Sequence, residues 1–188
     1  MDIYFKKEIT YPFKGHTFIF DLAHNLFSTF DVDHGTDILL RAIDTKDPKT
    51  ILDIGCGYGA IGIVLAHTYT NAEVTLVDRD LLAVRYATTN IQKNNLSNAQ
   101  AVGSIGLENL SDQKFDLIVS NIPAKIGDDA ITKEFILDPV HHLNPGGEYW
   151  IVVVNALNRL IPSVARKHNL NCKEIRKRNG HTVYKLTR

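Results

Sequence analysis

Residues Ile51 to Gly62 read I-L-D-I-G-C-G-Y-G-A-I-G, an apolar run that breaks into alternating glycines and passes into the helix-forming stretch I-G-I-V-L-A-H. A strand that feeds a helix through a turn without side chains presents bare backbone amides and a helix N-terminus to a ligand. That geometry suits a nucleotide-like cofactor. The rest of the chain fits such a unit. Its 188 residues suffice for one domain with a buried core, and 44% hydrophobic residues exclude a disordered or fibrous chain. No apolar stretch approaches the roughly 20 residues that span a bilayer. The opening M-D-I-Y-F-K-K-E carries acids where a secretory leader would have only basic residues. Cys56 and Cys172 are far apart, so neither a disulfide framework nor a metal site is expected, and a cytoplasmic location is.

The loop satisfies two patterns. Gly57, Gly59 and Gly62 match the dinucleotide fingerprint G-x-G-x-x-G, with Asp78 following at about the 20-residue spacing that motif has. Asp53, Gly55, Gly57 and Gly59 match D-x-G-x-G-x-G, the pattern of S-adenosylmethionine-dependent methyltransferases. Asp53 discriminates between them. A carboxylate two residues before the first glycine can approach a cationic amino group, which S-adenosylmethionine carries and NAD does not. Asp78, at the end of the next strand, can accept hydrogen bonds from ribose hydroxyls with either cofactor, or simply cap the following helix.

Strand and helix signals alternate along the middle. Strands are expected at Ile51–Ile54, Glu73–Val77, Ala99–Val102, Phe115–Ser120 and Glu148–Val154. Helices are expected from about Ala60 to Tyr69, Leu81 to Asn94 and Ala130 to Leu143, the last stopped by Asn144-Pro145-Gly146-Gly147. This predicts an α/β fold, a mostly parallel sheet with helices on both faces. After a helix near Leu157–His168, two β-type runs, Asn171–Arg178 and His181–Thr187, flank Asn179-Gly180, the strongest short hairpin signal. The predicted sheet has seven strands and ends in an antiparallel hairpin, whereas a dinucleotide-binding sheet is normally all parallel and followed by a substrate domain. Residues 1–50 form an N-terminal extension to the core of residues 51–188. Thr17–Phe20 and Leu26–Phe30 read as short strands, and Thr36 to Ile43 as a helix capped near Asp33 or Gly35.

The fourth strand runs into Ser120-Asn121-Ile122-Pro123-Ala124, and open α/β sheets bind ligands at the carboxyl ends of their strands. The Asn121 side-chain carbonyl and the Ile122 backbone carbonyl can together grip an amino group and aim its lone pair, with Pro123 stiffening the backbone. By itself this is an ordinary Asn-x-Pro turn. One strand beyond a D-x-G-x-G-x-G loop it reads as catalytic.

The segments D-I-G-C-G-Y-G-A-I-G, V-D-R-D, F-D-L-I-V-S-N-I-P-A and N-P-G-G-E-Y-W-I-V-V-V-N, in that order, resemble the "small domain" class I methyltransferases. That group includes ribosomal RNA guanine-N2 methyltransferases of the small subunit. Leu26–Ser28, Asp33–Leu40 and the terminal N-G-H-T-V-Y-K-L resemble its flanking segments, so the similarity covers nearly the whole chain. It implies S-adenosyl-L-methionine as cofactor, with Gly55, Gly57 and Gly59 along the methionine and ribose and Asp53 near the amino group. It also implies Asp78 on the ribose, Arg79 and the Gly103-Ser104 turn flanking the adenine, and Asn121, which also borders the cofactor, with Pro123 on the target amine. Two positions depart from the pattern. The family usually has an acid near Ser104, so adenine recognition here would rest on backbone. Its usual Asn-Pro-Pro-aromatic is replaced by Asn121-Ile122-Pro123-Ala124, and Phe27 is the candidate to supply the missing stacking face.

The remaining features have simpler readings. His141-His142 fit a helix end, Cys56 a position under the loop, Tyr149 and Trp150 the core, and Phe18, Phe20, Phe27 and Phe30 a small apolar cluster. From Arg159 to Arg188 nine Lys or Arg accompany one acid, Glu174; the first 158 residues therefore hold 12 of the 21 basic and 20 of the 21 acidic residues. That segment is either a solvated polar face or a phosphate-facing patch. The expected activity is methyl transfer to an exocyclic amine, guanine N2 of ribosomal or transfer RNA, without metal or membrane and with monomer and dimer both open. The alternatives are a protein glutamine N5-methyltransferase, a non-catalytic RNA-binding module on the same fold, and a nucleotide-dependent oxidoreductase.

Overall fold

The computed structural model describes residues 2–24, 26, 31–110 and 112–188. The extension departs most from expectation. In place of a lone strand at Thr17–Phe20 it forms an antiparallel hairpin, β1 (Phe5–Phe13) with β2 (His16–Ala23), turning at Lys14 and Gly15 with φ of 46° and 84°. The signal for β1 was its alternation, Ile9, Tyr11 and Phe13 against Glu8, Thr10 and Pro12, masked by Lys6-Lys7-Glu8. The expected strand Leu26–Phe30 lies outside the described residues except for Leu26, which sits in a bend. Helix α1 (His34–Ala42) is capped by Asp33, whose carboxylate accepts from the Thr36 N–H at 3.1 Å.

The central strands are β3 (Thr50–Ile54), β4 (Glu73–Asp78), β5 (Ala99–Gly103), β6 (Phe115–Asn121) and β7 (Leu143–Val154), followed by β8 (Asn171–Arg178) and β9 (His181–Thr187). They form one seven-stranded sheet in the order β5-β4-β3-β6-β7-β9-β8, parallel from β5 to β7 and antiparallel at β9 and β8. The Asn179-Gly180 turn has φ of 47° and 79°, the left-handed pair that a two-residue hairpin requires. Helices α2 (Ala60–Thr68) and α3 (Leu81–Lys93) join α1 and the amino-terminal hairpin on one face. Alternate strand residues supply the two apolar layers, Ile51, Leu117 and Trp150 on that face and Leu52, Ile118 and Tyr149 on the other.

The expected helix Ala130–Leu143 is three pieces: α4 (Asp128–Thr132), a π-helical turn (Lys133–Leu137) and α5 (Asp138–His141). Pro139 explains the break. It has no N–H to give to the Phe135 carbonyl four residues back, and the Tyr149 hydroxyl donates to that carbonyl instead, at 2.7 Å. The expected stop signal Asn144-Pro145-Gly146-Gly147 lies within the bounds of β7 as a wide bulge, where the pairing jumps from Phe115–Leu143 to Leu117–Glu148. Helix α6 (Leu160–Lys167) begins later than expected, after a 3₁₀ turn at Asn155–Leu157.

The hairpin is joined to the core through polar groups as well as apolar ones. Asn90 of α3 is wholly buried; its side-chain oxygen accepts from the Asp21 N–H at 2.7 Å, and its amide donates to the carbonyls of Asp21 and Tyr58 at 3.1 and 2.9 Å. Asn94, one turn on, makes the same exchange with Ile19. Among the described residues no helix is long and apolar enough to cross a membrane.

Candidate active site

The carboxyl ends of β3, β4 and β6 open into one cleft of about 320 Å³. Its first half is built from backbone. Gly55, Gly57 and Gly59 all have positive φ (68°, 57° and 94°). A side chain added at Gly57 would meet nothing within 4 Å, so this backbone is bare toward the cleft; one at Gly55 would meet the Phe135 ring at 3.5 Å. Gly59 and Gly62 do a different job. Side chains there would strike Ile63 at 3.0 Å and Leu76 at 2.5 Å, so these glycines let α2 lie close on β4. Gly59 does not line the cleft.

Asp78 lines the cleft and is held from both oxygens, by the Gly57 N–H and the Asp80 N–H, each at 2.9 Å. Arg79 and Ser104 also line it; Gly103 does not, and faces Leu81 instead. Asp53 differs from expectation. It is wholly buried behind the loop, not in the cleft, and its Oδ2 accepts from the Gly62 N–H at 2.8 Å, securing the start of α2. Its Oδ1 has no partner among the described residues. Burial pushes its carboxyl up to about 7, opposed by the Gly62 hydrogen bond and assisted by the charge on Asp78. Cys56 lines the cleft under the loop, and burial raises its thiol well above the usual range, so it is not a thiolate nucleophile.

The second half is built from side chains. The Asn121 amide donates to both oxygens of Asp33, at 3.0 and 3.2 Å, and stands 3.2 Å from the Thr36 hydroxyl, which donates to Asp33 at 2.7 Å. A carboxylate only accepts, so it fixes which end of the amide is which. The NH₂ faces Asp33, and the Asn121 carbonyl oxygen is left as an acceptor. Asp33, Thr36, Asn121 and Pro123 all line the cleft, as do Glu134 and Phe135 from the π turn. Ile122 points down into the core, 3% exposed, with its N–H on the Val152 carbonyl at 3.0 Å. Ala124 is exposed and outside the cleft lining. Phe27 lies outside the described residues.

Asp33, Thr36, Glu134 and Phe135 were not read from the sequence as site residues. For Asp33 the available signal was its helix-capping position just ahead of Thr36; for the others no local signal existed. His141 and His142 place their Nδ1 atoms 2.8 Å from the Leu137 and Gln113 carbonyls, as helix-end residues. Among the described residues no three His, Cys, Asp or Glu side chains converge as metal ligands.

A family model, the methyltransferase small domain, matches residues 17–185. The chain belongs to that family. Ribosomal RNA small subunit methyltransferase C of Haemophilus influenzae (strain 86-028NP) is 37% identical over 147 residues, 76% of this chain and 43% of that protein. YbxB of Bacillus subtilis (strain 168) is 29% identical over 150 residues, 79% of this chain and 74% of that protein. Among solved structures, the T. thermophilus 16S rRNA N2 methyltransferase RsmC, in complex with AdoMet and guanosine, has a TM-score of 0.85 at 27% identity, covering 97% of this chain and 50% of that one. The chain thus spans less than half the length of the H. influenzae small-subunit methyltransferase it matches. Family membership, with Gly59 and Gly62 used for packing against Ile63 and Leu76, means that the G-x-G-x-x-G match at Gly57, Gly59 and Gly62 is not a dinucleotide fingerprint.

Proposed function

We propose that this small-domain methyltransferase transfers a methyl group from S-adenosyl-L-methionine to an exocyclic amine, guanine N2 of ribosomal or transfer RNA. The observation that carries the reading is the orientation of Asn121. Its carbonyl is turned free by Asp33 in the same cleft as the bare glycine loop. The printed names of the relatives, and the AdoMet and guanosine in the neighbouring structure, support the substrate class.

The residues present fit that cofactor. The uncovered backbone at Gly57 takes its flat, polar body, and Asp78 is placed to accept from ribose hydroxyls. The first turn of α2, which has no side-chain cap, offers amides to a carboxylate at Ala60 and Ile61. Arg79 and Ser104 flank the adenine. Asp53 acts from behind the loop, as a buried counter-charge to the cationic amino end. Bound there, S-adenosylmethionine would supply an electrophilic methyl group on a good leaving group.

The protein's own task is then positioning. The Asn121 carbonyl and the Ile122 backbone carbonyl accept from the amine N–H groups and aim the nitrogen lone pair, while Pro123 limits the freedom of that turn. The new N–C bond forms as the S–C bond breaks, and the amine proton leaves to water, so no strong base is needed. Orientation of this kind contributes roughly 7–11 kcal/mol. A base in folded RNA must first leave its stack, at a few kcal/mol, and stacking on an aromatic ring returns roughly 1–3 kcal/mol. Phe135, over Gly55, offers that ring where Ala124 offers none. Glu134 beside it provides an acceptor for the guanine N1–H.

Calorimetry with S-adenosylmethionine, its demethylated product and NAD tests the cofactor: binding of the first two only is expected, and binding of NAD alone sinks the reading. Tritium transfer to unmethylated bulk RNA, against release factor as the protein alternative, tests the acceptor. Asn121→Ala should abolish transfer with cofactor affinity changed less than twofold; unchanged turnover removes Asn121 from the mechanism.

A further inference from the structure

The carboxyl-terminal hairpin brings charge to the rim of the cleft. Strand β9 runs back along β7 with His181 opposite Val154, and the Asn155 N–H donates to the Gly180 carbonyl at 2.9 Å. The Asn179-Gly180 turn therefore stands at the same end of the sheet as Asn121, which pairs with Val152. The end of β8 lies three strand spacings from β6, about 14 Å. Arg176, Lys177 and Arg178, at that end of β8, are all exposed.

These charges are not used inside the fold. Of the nine Lys and Arg from Arg159 onward, Lys185 alone has a carboxylate partner among the described residues, Glu148 at 2.8 Å. In the earlier part Arg41, Lys49, Arg85 and Lys93 all pair with acids. The turn is also fastened to the helix that holds the active-site amide. Asn179 Nδ2 lies 2.8 Å from His34 Nε2, and a side chain added at Gly35 would meet His181 at 3.0 Å. His34 and Gly35 directly follow Asp33.

We propose that Arg176, Lys177 and Arg178 form a phosphate-binding ridge that holds the RNA backbone next to the nucleotide entering the Asn121 cleft. This rests on the RNA reading above. Unpaired cations on an exposed edge strand suit a polyanion, because neutralising phosphates releases condensed counterions. Their place at the cleft rim suits the polymer that carries the target base. Docking on the ridge would also bear directly on the start of α1, so the same contact that places the RNA steadies the Asp33–Asn121 pair.

The test compares Arg176→Gln/Lys177→Gln/Arg178→Gln with a control losing three charges at the opposite end of the sheet, Lys46→Gln/Lys49→Gln/Lys114→Gln. Fluorescence anisotropy with a labelled single-stranded RNA should show the ridge variant binding at least tenfold more weakly. The slope of log affinity against log salt should fall by about 2, at roughly 0.7 per phosphate contact. The control should bind within twofold of wild type, and thermal unfolding should be unchanged in both. Equal loss in both variants, or none in the ridge variant, overturns the proposal. So does a ridge that binds poly-glutamate but not RNA, which would assign it to an acidic protein partner. A wild-type protein that binds RNA through the ridge but transfers no methyl to it leaves the ridge standing and removes the substrate reading.

Discussion

The two halves of the cleft are made in opposite ways. The half at Gly55, Gly57 and Asp78 is mostly backbone, set by the ends of two neighbouring strands, β3 and β4, and held by amide-to-carboxylate bonds. The half at Asn121 is side chains from three distant segments, with Asp33 and Asn121 separated by 88 residues. Backbone is suited to binding a cofactor whose shape never changes. Side chains, each steered by another, are suited to aiming one lone pair and can be altered without disturbing the cofactor. Mutations on the two sides should therefore separate binding from turnover.

The largest effect on turnover outside Asn121 itself is expected at Asp33. In Asp33→Asn the helix cap survives, because Asn caps as well as Asp, but nothing now dictates which end of the Asn121 amide faces the cleft. Single-turnover transfer should fall about 100-fold, with cofactor affinity and melting temperature nearly unchanged. A matching loss of cofactor binding would show that the halves are not independent. Next comes Phe135→Leu, which keeps the apolar cover on Gly55 but loses the stacking face. It should raise KM for RNA by roughly 5- to 30-fold, the equivalent of about 1–2 kcal/mol of stacking, and leave kcat within a few-fold. If KM is unmoved, Phe135 serves the cofactor side alone.

Gly62→Ala tests the backbone half from beneath. With Leu76 2.5 Å from the new methyl, α2 must shift, and the denaturant midpoint should drop by the equivalent of about 1–3 kcal/mol. Cofactor affinity should weaken in parallel and single-turnover transfer at saturating cofactor should change little. The smallest effect is a pH dependence. Burial raises the Asp53 carboxyl from its unfolded value near 4 to about 7 in the fold. The folded state therefore binds the extra proton, so its contribution to stability is greatest below pH 4 and is lost as pH rises to 7. Asp53→Asn should flatten that slope in chemical denaturation curves. If Asp53 does face the cofactor's ammonium, calorimetry near pH 6.5 in buffers of different ionisation enthalpy will register proton release on binding. No release would confine Asp53 to holding α2.

The same contrast governs what could be read before the structure. The strands of the central sheet, the order of motifs, the Asn179-Gly180 hairpin and the bare loop were legible because each is decided within a few residues. Asp53 was expected beside the amino group and lies buried behind the loop on the Gly62 N–H, because its spacing fits a ligand contact and a bond to Gly62 equally well and only burial distinguishes them. Gly59 and Gly103 lie against packed side chains, and a glycine needed for packing looks the same in sequence as one needed for access. Asp33 read only as a cap. Its grip on Asn121 depends on α1 crossing the end of β6, which no local pattern records. Phe135 reaches the cleft because Pro139 deflects its helix, and Tyr149, 14 residues on, completes the deflection.

Asn90 carries a consequence for how the chain assembles and how far it can be trimmed. It bonds the Asp21 backbone and the Tyr58 carbonyl inside the glycine loop at once, so the loop cannot take its final shape until the hairpin has docked. Cofactor should therefore bind only to chains in which the hairpin has docked. Cutting at residue 17, where the family similarity begins, would leave Asn90 its partners but strip β1 from β2. Cutting beyond Ala23 would take away both Asp21 partners and leave the Asn90 amide with the Tyr58 carbonyl alone, at roughly 1–3 kcal/mol for each group left without a partner. The working boundary of the cofactor site is thus set by a side chain on α3, not by the motif that announces it.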